Sequence, residues 1–226
     1  MPTSQRARDA LETLRQIPLF SQVSDADLTE VASHLIDRRY PRNTTIVEEG
    51  LAGDYMYIIR EGRVKVTKLS DDGREKILEF LEAGAFVGEM ALLERAPRSA
   101  SVKTLTAVRL LALSRTDFLT TLRRSPDLAM AVIEELCRRL RTVNDQASAL
   151  SFQSVKERTK GLLQRLARDP WGDGTRRSTP VLTHQQIADM IGTSRETVTR
   201  VVKELKQEEW LAQEGKKYLV PLGGDE

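Results

Sequence analysis

The spacing of hydrophobic and polar residues divides the chain into three segments, of which the first is helical. Residues 1–36 follow a helical period that is interrupted at Ile17-Pro18. In the stretch SDADLTEVASHL, apolar residues recur every three or four positions, and Ser24 precedes the acidic residues of a first turn. A serine at that position is a typical N-cap, so we expect a helix to begin there.

From about Tyr40 to Leu113 the hydrophobic period changes to two. Short stretches rich in β-branched and aromatic residues are separated by glycines and by the turn sequence SDDG; they read TIVEEG, YMYIIREG, RVKVTKL, EKILEFL and SVKTLTAVRLLAL. Such alternation is typical of half-buried antiparallel strands. The segment is therefore predicted to form a small β-sandwich or barrel.

A long helix is expected after RRSPD, because apolar residues then recur at alternating steps of four and three. These seam positions are Ala129, Ile133, Leu136, Leu140, Val143, Ala147 and Leu150. Such a stripe either packs on the helix's own domain or pairs with a second copy of the chain. We favour a parallel homodimer, since the stripe is narrow and its flanks are charged.

The residues after Phe152 predict a second folding unit. VKERTKGLLQRLARD has amphipathic spacing, PWGDGTRRSTPVL is a loop with short strands, and LAQEGKKYLVPL alternates about EGKK as a hairpin does. Two short helices lie between the loop and the hairpin. Thr183 and Ser194 are their expected N-caps, and Gly192 supplies the turn. This pattern is typical of a helix-turn-helix.

Composition and charge indicate a globular protein with a local basic patch. Of 226 residues, 40% are hydrophobic and 30% charged. The net charge is zero over residues 1–150 and +2 over residues 151–226, so a nucleic-acid footprint would lie in the second part. No apolar run reaches the ~18 residues of a membrane span, and the N-terminus lacks a signal-peptide core. We expect a cytoplasmic protein with no membrane partner.

The metal-binding residue types are sparse. Cys137 is the single cysteine, and the two histidines, His34 and His184, lie far apart in sequence. An intrachain disulfide and a cysteine-only metal cluster are therefore excluded. We also expect no haem, no iron-sulfur cluster and no other metal.

The second helix of the helix-turn-helix pattern carries a polar face suited to DNA. Arg195 and Arg200 are candidates to hold guanine, and Glu196 to accept a hydrogen bond from cytosine. Candidate phosphate contacts are Thr183, His184, Gln185, Ser194, Thr197, Thr199, Lys203, Lys216 and Lys217. The alternative is a solvated helix face, but cap, turn, packing face and base-reading residues fall in one register.

A further motif lies in the β segment, in the stretch FVGEMALLERAPRSASV. Gly88-Glu89 and Arg98-Ser99 stand at the two ends of one small loop. They either form a surface salt bridge across a turn or line a pocket that satisfies a hydroxyl and an anion together. Gly88 permits close approach of the backbone, and a helix beginning at Glu89 would present N–H groups to an anion.

These two motifs, in this order and spacing, resemble the cyclic-AMP receptor protein (CRP/FNR) family of bacterial transcription regulators. TSRETVTRVVKEL resembles the family's recognition helix, and GEMALLERAPRSASV resembles its phosphate-binding cassette. The resemblance implies an α+β fold. Its parts are an antiparallel, jelly-roll-like β-roll that binds a cyclic nucleotide (residues 1–125), a dimerisation helix with hinge (126–152) and a winged helix-turn-helix (153–226).

The resemblance also implies a function. The ligand would be cAMP, with Glu89 accepting from the ribose 2′-hydroxyl and Arg98 pairing with the phosphate. The implied ligand residues are Gly88, Glu89, Met90, Arg98, Ser99, Arg139 and Asn144. The protein would not be an enzyme; it would be a homodimer that reads a palindrome of TGTGA and TCACA half-sites, with RNA polymerase as a partner.

One position departs from the family pattern. Relatives that respond to cAMP carry Thr followed by Ser or Asn on the long helix, whereas this chain has Val143-Asn144. Val143 cannot form a hydrogen bond with adenine. Three alternatives stay open: another cyclic nucleotide as ligand, a ligand-independent regulator controlled by its abundance, and a nucleotide-binding regulatory subunit of an enzyme. The base-reading helix disfavours the last.

Overall fold

The protein forms two compact units that divide within one long helix, as the computed structural model shows. The units comprise Met1–Leu140 and Arg141–Glu226. The structure describes residues 10–21, 23–70, 73–172 and 174–222. The expected helical start of the chain falls partly outside this range, although residues 10–15 are helical. Two residues of the expected SDDG turn also lie outside the described residues.

The first unit contains two antiparallel four-stranded sheets, with strand orders β1-β8-β3-β6 and β2-β7-β4-β5. The strands are β1 Ile36–Tyr40, β2 Thr45–Val47, β3 Tyr55–Glu61, β4 Arg63–Leu69, β5 Glu75–Glu82, β6 Phe86–Val87, β7 Ser101–Thr104 and β8 Val108–Ser114. Buried residues of both sheets share one core. Val47 and Val64 come from one sheet, and Ile59 and Leu110 from the other. This packing confirms the predicted β-roll.

Two details of the strand prediction are wrong. The β region begins at Ile36 rather than near Tyr40, because β1 pairs with β8 from Ile36↔Ala112 onward. The stretch SVKTLTAVRLLAL is not one strand. It turns at residues 105–107, so that β7 joins one sheet and β8 the other. When a chain switches sheets in this way, its hydrophobic residues keep a period of two on both sides of the bend. The pattern alone therefore does not reveal the turn.

Short helices cover one side of this sandwich. They are a 3₁₀ helix Pro18–Phe20, α1 Asp25–His34, α2 Glu89–Glu94 and α3 Arg115–Arg124. Ser24 caps α1 by accepting a hydrogen bond from the Asp27 N–H at 3.2 Å, as predicted. Phe118 of α3 and Leu28 and Val31 of α1 lie in a second buried cluster with Met56. This cluster fixes the helices against β3 and β8.

The long helix α4 spans Pro126–Phe152. Leu128 and Val132 are buried, and Leu136 packs against the core of the first unit. Leu136, a predicted seam residue, is thus partly covered by its own unit. In the single chain Leu140 and Val143 are 59% and 58% exposed, and Ile133 and Leu150 are 51% exposed.

The second unit combines the end of α4 and three further helices with a four-stranded antiparallel sheet of order β11-β12-β10-β9. Its elements are α5 Val155–Leu166, β9 Asp169–Trp171, β10 Arg176–Ser178, α6 His184–Ile191, α7 Arg195–Gln207, β11 Ala212–Glu214 and β12 Lys217–Pro221. Thr183 and Ser194 cap α6 and α7. Gly192 ends α6 with φ 71°, a left-handed conformation that favours glycine.

The packing face of the helix pair is the predicted one. Ile187, Ala188 and Ile191 of α6 are buried, together with four residues of α7: Val198, Val201, Val202 and Leu205. Burial of each isoleucine, valine or leucine side chain in this set contributes about 1.5–3 kcal/mol. The hairpin β11–β12 follows α7, which completes a winged helix-turn-helix and confirms the predicted fold class.

Candidate functional sites

A tight turn at Gly88 brings the first site together. Gly88 has φ 90° and ends β6, and Glu89 is the first residue of α2. A Cβ atom at Gly88 would lie 2.5 Å from Nη1 of Arg98, closer than real contacts allow. The glycine is therefore required both for the left-handed backbone and for the approach of the guanidinium.

Arg98 is buried between two glycines, with only 7% of the residue exposed. Its Nη1 donates to the Gly88 carbonyl at 2.8 Å, and its Nη2 donates to the Tyr55 carbonyl at 2.5 Å. A Cβ atom at Gly53 would lie 2.1 Å from Nε of Arg98. Burial lowers the pKa of Arg98, while Tyr57, Asp54 and Glu89 oppose that shift.

The carboxyl of Glu89 is hidden from solvent, since only 2% of the residue is exposed. Oε1 accepts a hydrogen bond from Arg139 Nη1 at 3.0 Å, whereas Oε2 is buried with no hydrogen-bond partner in the described part of the chain. Burial raises the pKa of Glu89, and the charge of Arg139 opposes the rise. A buried, half-satisfied carboxyl is unfavourable unless a donor reaches its second oxygen.

Arg139 connects α4 with this turn. Its Nη2 donates to the Phe86 carbonyl at 2.9 Å, and its Nε donates to Oε1 of Glu135 at 2.8 Å. The guanidinium carbon lies 4.6 Å from the centre of the Phe86 ring, a cation–π distance. Arg139 and Glu89 are both predicted ligand residues, and they form a hydrogen bond although they lie 50 positions apart in the sequence.

The other predicted ligand residues are more exposed. Met90 and Ser99 lie at the surface, with Ser99 Oγ 3.8 Å from Met90 Sδ. Asn144 is exposed on α4 and belongs to the second compact unit. A cavity of about 270 Å³ borders Arg98 and is lined by residues 45–48 and 51–55 together with Tyr57. The sequence did not lead us to Gly53 as part of this site, although a glycine between two predicted strands could have indicated a close approach of the backbone.

The second site is the exposed face of α7. Arg195, Glu196 and Arg200 are exposed, as is Lys203 one turn further on. They lie opposite the buried Val198–Val202–Leu205 side. A capped helix with a basic exposed face at its N-terminal end has the form of a helix that enters a major groove.

A hydrogen-bonded chain links α6 to α7. Thr199 Oγ1 donates to the Arg195 carbonyl at 2.9 Å, so it accepts from Nδ1 of His184 at 2.8 Å. Burial lowers the pKa of His184, and Arg195 and Lys206 add to the shift. Neutral His184 then carries its proton on Nδ1, and its other ring nitrogen can only accept. A phosphate contact by this ring would require its protonation.

The remaining predicted phosphate residues lie around these helix starts and at the hairpin. Thr183 and Ser194 use their hydroxyls as caps, Thr197 lies 3.0 Å from Ser194, and Gln185 donates to Asp189 at 2.7 Å. The hairpin turns at Gly215, which has φ 56°. The phosphate candidates Lys216 and Lys217 follow directly. Of these, Lys216 is exposed and Lys217 is half-buried.

Sequence reasoning missed the groups that hold α7 in place. Lys156 of α5 forms ion pairs with Glu204, at 2.8 Å, and with Glu208 near the end of α7. Arg176 of β10 donates to three main-chain carbonyls around the hairpin. No local signal marks these residues, because their partners lie 33 to 52 positions away.

Within the described residues, no three His, Cys, Asp or Glu side chains are grouped so that they could hold a metal ion. The same residues include no helix with both the length and the hydropathy to cross a bilayer. Cys137 is a free, exposed thiol.

A β-roll with a buried glutamate and a buried arginine, followed by a long helix and a winged helix-turn-helix, is the arrangement of a DNA-binding regulator with a ligand-binding domain. The comparisons agree. Residues 37–125 match the cyclic nucleotide-binding domain model, and residues 157–221 match the Crp-like helix-turn-helix domain model. The chain belongs to the CRP/FNR family of transcription regulators. It has a cyclic-nucleotide-binding domain and a DNA-binding domain, and it is a regulator rather than an enzyme.

Its relatives are similar over nearly the whole chain. The CRP-like cAMP-activated global transcriptional regulator of Mycobacterium tuberculosis is 31% identical over 211 residues, covering 92% of this chain and 94% of the relative. The Cyclic AMP receptor protein of Thermus thermophilus is 34% identical over 191 residues, covering 84% and 86%.

Solved structures agree in fold. The c-di-GMP responsive global regulator CLP of Xanthomonas campestris superimposes with a TM-score of 0.75 at 28% identity, covering 89% of this chain and 100% of that one. The catabolite activator protein of Thermus thermophilus gives a TM-score of 0.56 at 32% identity, covering 91% and 94%.

Proposed function

We propose that the protein is a homodimeric, sequence-specific DNA-binding regulator whose effector is cAMP. The observation that carries the ligand proposal is the buried Oε2 of Glu89, which has no hydrogen-bond partner in the described part of the chain. A ribose 2′-hydroxyl supplies the donor that this oxygen lacks. Its neighbour Arg98 supplies the counter-charge for a phosphate.

Arg98 has donors left for that role. A guanidinium has five N–H donors, and two hydrogen bonds hold Arg98 to the carbonyls of Gly88 and Tyr55. These bonds orient the planar group before a ligand arrives, which reduces the entropy that binding must overcome. Ser99, Met90 and Arg139 would complete the ligand contacts of the first unit.

The names of relatives guide the choice of ligands to test. Those of Mycobacterium tuberculosis and Salmonella typhimurium are described as cAMP-activated, the latter being 31% identical over 202 residues, while that of Xanthomonas campestris is described as c-di-GMP responsive. A buried carboxyl with one oxygen lacking a partner in the described residues, together with a buried guanidinium, matches a ligand with one ribose hydroxyl and one phosphate. We therefore place cAMP first.

The exposed apolar residues of α4 support the homodimer. Ile133, Leu140, Val143 and Leu150 are each at least half exposed in the single chain, on a helix that buries Leu128 and Val132. Two such seams in a parallel pair would cover these side chains. Assembly about a two-fold axis would give two α7 helices that read two half-sites.

The DNA target proposed is a palindrome of TGTGA and TCACA half-sites about 34 Å apart. Arg195 and Arg200 would hold guanines, and Glu196 would accept from a cytosine. The nine candidate phosphate residues of the sequence analysis, which include Thr183 at the start of α6 and Lys216 in the hairpin, would contact phosphates. RNA polymerase is the proposed partner at promoters.

The experiment that tests this proposal is operator binding by the purified protein at one fixed salt concentration. It is run without ligand and with cAMP, cGMP or cyclic di-GMP, with ligand binding followed in parallel by calorimetry. We expect cAMP to bind and to raise operator affinity. If cyclic di-GMP binds more tightly than cAMP, cyclic di-GMP is the effector instead. If no palindrome is preferred, the proposed mode of DNA binding is wrong.

A second candidate function is DNA binding that needs no ligand. Val143 favours it, because this apolar residue replaces the hydroxyl that pairs with adenine in cAMP-responsive relatives and can strengthen the seam instead. Calorimetry that shows no binding of any cyclic nucleotide at millimolar concentration, together with specific operator binding, would select this candidate.

A further inference from the structure

Arg176 links the end of the recognition helix to the hairpin that follows it. Its Nη2 donates to the Glu209 carbonyl at 2.8 Å, and its Nη1 donates to the carbonyls of Trp210 and Leu219, each at 3.2 Å. Glu209 and Trp210 form the turn that leaves α7, whereas Leu219 lies in β12. One planar cation thus holds two segments together.

The turn needs such support. Glu209 has φ 58°, a left-handed conformation that is unfavourable for a residue with a side chain. The Glu209 N–H donates back to the Lys206 carbonyl at 3.1 Å, and the Leu211 N–H donates to the Leu205 carbonyl at 3.0 Å. In the same turn, the carbonyls of Glu209 and Trp210 accept hydrogen bonds from Arg176.

The hairpin itself is short. Strands β11 and β12 pair through three residue pairs, from Ala212↔Leu219 to Glu214↔Lys217. Strand β12 also pairs with β10, but only from Ser178↔Leu219 to Arg176↔Pro221, so the tip of the hairpin extends beyond that pairing. A two-stranded ribbon of this length is marginal by itself. The direction of the tip relative to α7 therefore depends on contacts at its base, which include the contact of Arg176 with Leu219.

We propose that Arg176 is a positioning residue for DNA binding. It sets the hairpin relative to α7, so that Lys216 and Lys217 meet phosphates while α7 occupies the groove. This inference rests on the phosphate contacts in the proposed function. Arg176 itself lies within the sheet, half-buried, and acts through the hairpin rather than by touching DNA.

The test is a double-mutant cycle on full-length protein with operator and scrambled duplexes at several salt concentrations. The variants are Arg176→Gln, the pair Lys216→Ala/Lys217→Ala, and all three together. Arg177→Gln is the matched control, since Arg177 is the exposed next residue of β10 and its loss removes the same charge. Thermal melting of each variant reports folding.

We expect Arg176→Gln to weaken binding roughly fivefold on both duplexes, because part of the phosphate contribution is lost while base preference is kept. The salt dependence of binding should become shallower. In the background without Lys216 and Lys217, Arg176→Gln should have less than about a twofold effect. Arg177→Gln should bind like the parent.

Three outcomes would overturn the inference: parent-like binding by Arg176→Gln, an equal loss in Arg177→Gln, or a full Arg176→Gln effect in the background without the lysines. If the lysine pair alone leaves affinity unchanged, the hairpin makes no phosphate contact, and that part of the proposed function fails with it. If Lys216→Ala/Lys217→Ala binds DNA more weakly while Arg176→Gln binds DNA like the parent, only the positioning role of Arg176 is excluded.

Discussion

Glu89 is the residue where burial and charge oppose each other most directly. Because its pKa is raised in the folded protein, the folded state keeps a proton that the unfolded chain has released. This stabilising contribution is complete below the ordinary pKa near 4.5 and is lost as pH rises through the raised value. Ionised Glu89 therefore lowers the stability of the ligand-free protein.

Glu89→Gln should remove this pH dependence. The amide is neutral at every pH and keeps an oxygen for Arg139. From the ordinary pKa of 4.5 upward, the parent should lose stability relative to Glu89→Gln, as measured by urea denaturation at several pH values. Glu94→Gln, at the exposed end of the same helix, is the control and should follow the parent. Parallel curves for parent and Glu89→Gln would contradict the assignment.

Arg98 is the residue on which we expect recognition of the ligand's phosphate charge to depend. Arg98→Ala should lose about 1.5–3 kcal/mol of cAMP affinity, the usual range for hydrogen bonds to charged groups. Arg98→Lys keeps the charge without the planar fork and should fall between alanine and parent. Calorimetry measures the three affinities, with the exposed Arg39→Ala as a charge-loss control. Equal cAMP affinity in Arg98→Ala and parent would exclude a phosphate contact here.

At the scale of elements, α7 and the hairpin should separate specificity from affinity. Arg195→Ala should flatten the preference at one base-pair position, since a bidentate arginine–guanine contact contributes ~1–3 kcal/mol of discrimination. Lys217→Ala should weaken all sequences alike. Selection of binding sites from a random library measures both variants. A uniform loss in Arg195→Ala would mean that this side chain contacts the backbone rather than a base.

For α4, we expect the exposed seam residues to determine whether the protein is a monomer or a dimer. Ile133→Glu combined with Leu140→Glu should give a monomer in sedimentation, because both side chains are at least half exposed in the single chain. Leu136→Glu is unsuitable for this test, since Leu136 packs on its own core and its replacement would destabilise the unit. Ser148→Glu, at an exposed position beside the seam, is the control and should stay dimeric. A dimeric Ile133→Glu/Leu140→Glu variant would refute the seam.

At the scale of the whole molecule, α4 belongs to both compact units, and Val143 lies just past the division at Leu140. A ligand shifts DNA affinity only through its different affinities for two arrangements of the protein. If Val143 in the seam favours the active arrangement without ligand, little shift remains for cAMP to produce.

We therefore expect appreciable operator binding without ligand and a modest increase with cAMP. Val143→Thr should lower ligand-free binding and enlarge the response, because it weakens the seam and restores a hydroxyl for adenine. Operator titrations of parent and variant, each with and without cAMP, measure the effect. Strict dependence of the parent on cAMP, or an unchanged response in the variant, would refute this account of the switch.

The sequence by itself determined the elements whose causes are local. The period-two stretches predicted the strands. Ser24, Thr183 and Ser194 marked helix starts, because a side-chain oxygen satisfies N–H groups only a few residues away. Gly192 was predicted as a turn and Gly88 as a point of close backbone approach, and both glycines have left-handed backbones in the structure. The order of two motifs was enough to indicate the family.

Only the tertiary structure decided what depends on distant residues. It brought Arg139 to Glu89, placed Gly53 against Arg98, and packed Leu136 partly against the core of its own unit while leaving Leu140 exposed. Leu136 and Leu140 both belong to the heptad seam, so periodicity cannot tell them apart. Their surroundings differ because α4 rests on the first unit near its start, and that packing is set by side chains far away in sequence.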